Sequence, residues 1–241
     1  MGLVETTLAL RQELEALRFA PPVAYVYDPL DYAWAAQREY LERYGKGPRE
    51  VVLLGMNPGP FGMAQTGVPF GDAGMVRGWL GIEAKVNHPA REHPKRPVQG
   101  FACTRGEVSG RRLWGWARAR FGTPQRFFAR FLVVNYCPLA FMEASGRNLT
   151  PDKLPRAERE RLFAACDRAL RANVAELRPA HVVGIGRFAA GRAAAALAGS
   201  GVGFGSVPHP SPASPAANRG WEVLMDRALA DLGILTQGET T

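Results

Sequence analysis

The chain reads as an α/β protein built on a mostly parallel sheet with helices on both faces. Three observations predict it. Four short runs are almost wholly apolar or valine-rich, as strands buried on both faces tend to be. Helical stretches separate them, the order expected of βαβ units. The first and last runs stop at proline-containing turns, which neither continue a strand nor start a helix cleanly.

Leu3 to Phe19 carries apolar residues at helical spacing, and Asp31 to Tyr44 does so more weakly. Glu50 to Met56 is the first strand, ended by Asn57-Pro58-Gly59-Pro60. From Phe61 to Gly106 the chain is rich in Gly, Pro and His, with one helical piece near Met75 to Leu80. A loop region this long within a compact domain is usually functional when it keeps aromatic and apolar content, as this one does. Ser109 can cap a helix running to Phe121, and Thr123-Pro124 starts another through Arg130. Phe131 to Tyr136 is the second strand, Pro155 to Leu177 a long helix and His181 to Gly186 the third strand. An Ala-rich helix follows through Leu197, then a Gly-weakened fourth strand from Val202 to Val207, ended by Pro208-His209-Pro210. Pro215 to Leu232 closes as a helix. No linker or repeat interrupts this rhythm, so one domain is expected over 1–241, with N-terminal helices over about 1–45.

The 241 residues hold 30 Lys+Arg against 22 Asp+Glu, a net charge of +8, with 46% hydrophobic residues. That composition excludes a disordered chain, a collagen-like repeat and a disulfide scaffold. No apolar run approaches the ~18 residues of a membrane span. Gly2 and Thr6 fit a myristoylation pattern, but Leu8, Leu10, Leu14 and Leu17 belong to a helix there. Of the 30 cations, 26 are arginine, whose fork suits an anionic partner; composition alone favours biased codon usage on a solvated surface. Cys103, Cys137 and Cys166 are widely spaced and in no CxxC pair, which offers no zinc site, cluster or disulfide framework. No metal or cofactor is expected, and a reducing, cytoplasmic compartment is.

In open α/β sheets ligands sit beyond the carboxyl ends of the strands. Reading the strands to their ends places Asn57, Asn135 and His209 at one sheet edge. Singly, each is an ordinary turn residue. Together they suit a small polar ring or carbonyl. Cys137 lies two residues past Asn135 and could pair with His209 as a nucleophile, but between Tyr136 and Pro138 it reads as a small buried residue. Gly184-Ile185-Gly186 with Gly191 is a weak dinucleotide fingerprint: the third glycine is misplaced.

One block is far more specific. Gly55-Met56-Asn57-Pro58-Gly59-Pro60-Phe61-Gly62-Met63-Ala64-Gln65-Thr66-Gly67-Val68-Pro69-Phe70-Gly71 resembles the first active-site motif of the single-strand-selective monofunctional uracil-DNA glycosylases. Glu92 to Pro97, Glu107 to Gly110, Ser145 to Pro151 and His209 to Pro212 are similar to further blocks in the same order. The likeness runs from about Val51 to Leu235. It implies a three-layer α/β/α sandwich around a four-stranded mostly parallel sheet, in agreement with the strand count.

The resemblance also implies roles. Asn57 matches the position that holds the attacking water, and His209 the histidine that stabilises charge on the uracil O2 edge. Asn135 matches the residue that reads O4 and N3, a pattern cytosine reverses. Phe70 matches the aromatic that stacks on the flipped base, Met56 contributes backbone to the pocket, and Gly59 and Met63 match residues around a roomy C5 edge. The implied reaction is release of uracil, 5-hydroxymethyluracil or related oxidised pyrimidines from single- or double-stranded DNA by a monomer. No lysine lies near the motif ends, Lys95 being the nearest, so the strand is left intact. Ser211 and the segment Pro210 to Asn218 match a loop that pinches the backbone and wedges the duplex. Arg96 and Arg219 are expected on phosphate. Where related sequences tend to carry Arg-Asn, this chain has Ala213-Ser214, which predicts weaker action on paired duplex than on single strands. In a bacterium the activity belongs at the nucleoid, in a eukaryote in the nucleus. A dormant nucleic-acid binder that kept the pocket, and a nucleotide-binding enzyme using the Gly184 to Gly191 turn, are the competing readings.

Overall fold

All four apolar runs become strands of one parallel sheet. In a computed structural model that describes residues 2–235, the strands in chain order are β1 (Tyr25–Tyr27), β2 (Val51–Gly55), β3 (Phe131–Asn135), β4 (Ala140–Met142), β5 (Asn148–Leu149), β6 (His181–Ile185) and β7 (Gly203–Val207). Met1 and residues 236–241, the ends of the expected single-domain span, lie outside the described residues. The helices are α1 (Leu3–Glu15), α2 (Pro29–Tyr32), α3 (Trp34–Tyr44), α4 (Met63–Thr66), α5 (Ala73–Met75), α6 (Val108–Phe121), α7 (Pro124–Phe128), α8 (Arg156–Leu177), α9 (Arg187–Ala196) and α10 (Trp221–Asp231).

The main sheet has the order β3-β2-β6-β7, every pair parallel. The chain steps from β2 to β3 on one side, then crosses back to β6 and β7 on the other. Right-handed crossovers in opposite directions place α6 and α7 on one face and α8 and α9 on the other, completing the sandwich. All of β2 is buried, and four of the five residues in both β3 and β6. The α6/α7 side is filled by aromatic rings: Phe127 stacks on Phe131 at 5.2 Å, and Trp114, Trp116, Phe121 and Trp221 close around them. Each such side chain removed from water stabilises the fold by roughly 1.5–3 kcal/mol. One connected cluster of buried side chains joins α1 and α3 to both faces of the sheet.

A second sheet was not expected. β1, β4 and β5 pair antiparallel in the order β1-β4-β5. Other corrections concern ends. The first helix stops at Glu15, not Phe19, and the helix after Pro124 stops at Phe128. The closing helix starts at Trp221, because Pro215 to Arg219 forms tight turns instead. Ser109 is not the cap of α6. Glu107 is, its carboxylate accepting from the amides of Ser109 (3.2 Å) and Gly110. Among the described residues no helix is long and apolar enough to cross a membrane.

Candidate active site

β2 leaves the sheet at Gly55, directly opposite Asn135 of β3. A Cβ at Gly55 would overlap Asn135 Oδ1 and lie 2.6 Å from Phe70 Cε2. Only a residue without a side chain leaves room for both groups, so Gly55 lets Asn135 and Phe70 take their places. Sheet-like pairing continues two residues further, with Gly55 and Met56 carbonyls accepting from Tyr136 and Cys137 amides at 2.9 Å.

Backbone hydrogen bonds close local turns between Gly59 and Gly67, and buried side chains tie the segment from Asn57 to Gly71 to the rest of the molecule. Gln65 donates to the carbonyls of Pro60 (2.9 Å) and Pro97 (3.1 Å) and accepts from the Gln99 amide at 2.7 Å. Thr66 donates to the Gly71 carbonyl at 3.0 Å, and Tyr32 to that of Ala64 at 2.7 Å. The long motif is thus a preformed loop, which explains why its polar residues are buried. It ends at Phe70, held at φ 53°, a left-handed conformation that costs a bulky side chain about 1–3 kcal/mol. Trp114 Nε1 fixes it by donating to the Phe70 carbonyl at 3.0 Å. Gly110 permits the approach, since a Cβ there would strike the same oxygen.

Met56, Asn57, Gly59, Met63, Phe70, Asn135, His209 and Ser211 come together around one cavity of about 360 Å³ at the carboxyl end of the sheet. That is within the roughly 300–1,000 Å³ range of small-ligand pockets. Asn57 donates Nδ2 to the Leu139 carbonyl at 3.1 Å, which leaves Oδ1 as a free acceptor. Asn135 Nδ2 lies 3.2 Å from Met63 Sδ, while its buried Oδ1 has no hydrogen-bond partner. Leaving such an acceptor buried and unpaired costs about 1–3 kcal/mol, which a ligand N–H at that point would offset. His209 Nδ1 accepts from the Ser211 amide at 3.1 Å, so the ring proton sits on Nε2. Burial pushes the His209 imidazolium below its ordinary pKa, so at neutral pH the ring is an uncharged Nε2–H donor. Gly186, at φ 90° after β6, gives it space: a Cβ there would lie 3.3 Å from that of His209. The His209 and Phe70 rings stand 6.3 Å apart, tilted by 41°.

Two expected site residues lie off the cavity. Arg96 packs 5.3 Å over the Phe61 ring and donates to the Gly146 carbonyl at 3.1 Å; Arg219 is exposed in the turn Ala217–Arg219. Arg105, unnoticed in the sequence, packs on the same Phe61 ring at 4.0 Å. Glu107 was also missed as a lining residue; burial raises its carboxyl pKa, and Gly62 makes room for it. Its place two residues before Ser109, at the head of an amphipathic helix, was the available signal. Cys137 is fully buried and its thiol points to the Leu139 carbonyl at 3.8 Å, away from any role as nucleophile. At the Gly184 to Gly191 turn α9 packs so closely on β6 that a Cβ at Gly184 would strike Ala190, so this glycine serves helix–strand packing. Among the described residues no lysine lines the cavity, and Lys95 is exposed. No three His, Cys, Asp or Glu residues among the described residues gather as a metal would need.

The profile of the Uracil DNA glycosylase superfamily matches residues 42–233, which include every cavity-lining residue. The chain belongs to this superfamily. It is 52% identical over 236 residues to a protein of Rattus norvegicus named single-strand selective monofunctional uracil-DNA glycosylase, covering 97% of this chain and 85% of the relative. Proteins of the same name from Mus musculus and Bos taurus are 52% and 49% identical over the same length. The crystal structure of Pedobacter heparinus SMUG2 superposes with a TM-score of 0.68 at 15% identity, covering 97% of both chains, which supports the uracil-DNA glycosylase fold.

Proposed function

We propose that this uracil-DNA glycosylase excises uracil from DNA by hydrolysing its N-glycosidic bond, leaving an abasic strand. The observation that carries the reading is the polar pattern of the cavity. An uncommitted Asn57 oxygen, an unpaired Asn135 oxygen and a neutral His209 N–H converge beside Phe70. Uracil complements it: N3–H donates to Asn135 Oδ1, and O2 accepts from His209 Nε2. As the bond from N1 to C1′ breaks, its electron pair passes to the base and collects partly on O2, where the His209 donor stabilises it. Water held by Asn57 Oδ1 adds to C1′ of the sugar cation and gives up its proton to solvent or the departing base. A neutral histidine suits this step, because an anion forms beside a donor that is already in place. The base reaches the cavity only when flipped from the stack, and Phe70 receives its face.

Gly59 and Met63 border the C5 edge, and with no side chain at position 59 the pocket accepts 5-hydroxymethyluracil and related oxidised pyrimidines. The enzyme acts as a monomer on single- and double-stranded DNA, in the cytoplasm or wherever its genome resides. Small Ala213-Ser214 at the loop tip favour single strands.

Labelled oligonucleotides carrying uracil or 5-hydroxymethyluracil, single-stranded or paired, test this directly. Free base should be released, with strand breaks appearing only after alkali, and single strands should react faster than a U:A duplex. Breaks without alkali would require a lyase instead. Tight binding with no release from any substrate would leave the dormant binder. Arg96 and Arg219 should contribute through charge: replacing either with alanine should weaken binding and flatten the dependence of log K on log salt by about one charge. An unchanged slope would remove that arginine from the phosphate contacts.

A further inference from the structure

The segment after β7 runs Pro208-His209-Pro210-Ser211-Pro212, and its prolines have no amide to donate. Their carbonyls are satisfied from outside the segment, each by a different side chain. Trp221 Nε1 donates to Pro208 at 2.7 Å, Arg112 Nη1 to Pro210 at 2.7 Å and Asn218 Nδ2 to Pro212 at 2.9 Å. Arg112 Nη2 also donates to Asn218 Oδ1 at 3.0 Å. One half-buried guanidinium on α6 therefore ties the start of the Pro210 to Asn218 loop to its end, and Asn218 ties that end back to Pro212. Among the described residues Arg112 pairs with no carboxylate, so its fork is committed to this brace. Within the loop, Ser211 Oγ accepts from the Ala213 amide at 3.2 Å, and short turns run from Ser211 to Ser214 and on to Ala217. Pro212, Ala213, Pro215 and Ala216 are exposed, and the brace ties these turns to α6. His209 is held against Gly186 and by the Ser211 amide, which shares one peptide group with the Pro210 carbonyl. Arg112 thus reaches the ring through a single peptide, whereas Asn218 does not touch it.

We propose that Arg112 is a positioning residue that keeps this loop in the shape needed to open paired DNA. The inference rests on reading the loop as the part that wedges the duplex. A single strand has no partner strand to displace, so the shape of the brace matters much less there.

Single-turnover uracil release from a single strand and from a U:A duplex of the same sequence separates the possibilities. Arg112→Met keeps the aliphatic bulk and removes both donors. It should slow the duplex reaction about tenfold, the scale of lost hydrogen bonds to a part that must hold its shape, and the single-strand reaction distinctly less, the smaller loss passing through the peptide that also holds His209. Arg112→Lys, which can reach one acceptor but not bridge two, should fall between. Asn218→Ala should reproduce the duplex-selective loss, and the double variant should be no worse than either single one, since both act through one brace. Equal losses on both substrates would make Arg112 merely structural and overturn the proposal, as would unchanged duplex rates. If Arg112→Met does not fold, Asn218→Ala decides by the same ratio. Failure of the parent protein to release uracil from either substrate would instead defeat the glycosylase reading, and this inference with it.

Discussion

Replacing His209 with alanine should slow uracil release about 100-fold or more, the scale seen when one preorganised donor to a developing anion is removed. The thermal midpoint should move little, because the ring is held by one amide hydrogen bond and contacts with Gly186 rather than deep in the core. The reaction's pH dependence should carry the same signature. The uncharged ring accepts the Ser211 amide on Nδ1 and donates from Nε2, and protonation would set one N–H against another. Burial holds the pKa below the ordinary 6.5, so the neutral, competent form persists below that pH. Activity should therefore stay level as pH falls through 6.5, drop only below it, and show no such limb in His209→Ala. A rate that rises on acidification would mean that the imidazolium is the active form.

Asn57→Ala should cost about as much, about 100-fold, but for a different reason. Its amide is oriented by the Leu139 carbonyl, which consumes the donor and leaves an oxygen for water. Alanine removes the water's only proposed anchor while leaving base recognition by Asn135, Phe70 and His209 intact. Single-turnover rates should fall with little change in the affinity for uracil-containing single strands. Asn57→Asp supplies an oxygen but faces a carboxylate toward the Leu139 carbonyl, so it should not restore the parent rate. Near-normal turnover in the alanine variant would remove the water-holding role.

Much of the frame was legible because it obeys local rules. β2, β3 and β6 are long enough, apolar enough and β-branched enough to be recognised singly, and α8 and α10 show helical spacing over eleven residues or more. The antiparallel sheet escaped because β1 and β4 have three residues each and β5 two, too few to display an alternation. α4 and α5, equally short, are held because Gln65 and Asp72 tie their surroundings to Pro97, Gln99 and Glu107, distant in sequence. Helix ends moved where a better cap lay nearby, as with Glu107 in place of Ser109.

The sequence by itself determined the parallel α/β frame and the superfamily. It also determined the positions of Asn57, Asn135 and His209, since strand ends and a seventeen-residue motif are properties of neighbouring residues. The tertiary structure alone decided the chemical state of the two amides, because whether Asn57 offers oxygen and whether the Asn135 acceptor is left unpaired depend on partners set by packing. The proton on His209 Nε2 follows instead from the Ser211 amide two residues on. Leu139 lies 82 residues from Asn57, and Met63 lies 72 residues from Asn135. The brace from Arg112 to a loop about a hundred residues away is of the same kind: a hydrogen bond is written by distance and direction in space, and a linear order of residues contains neither.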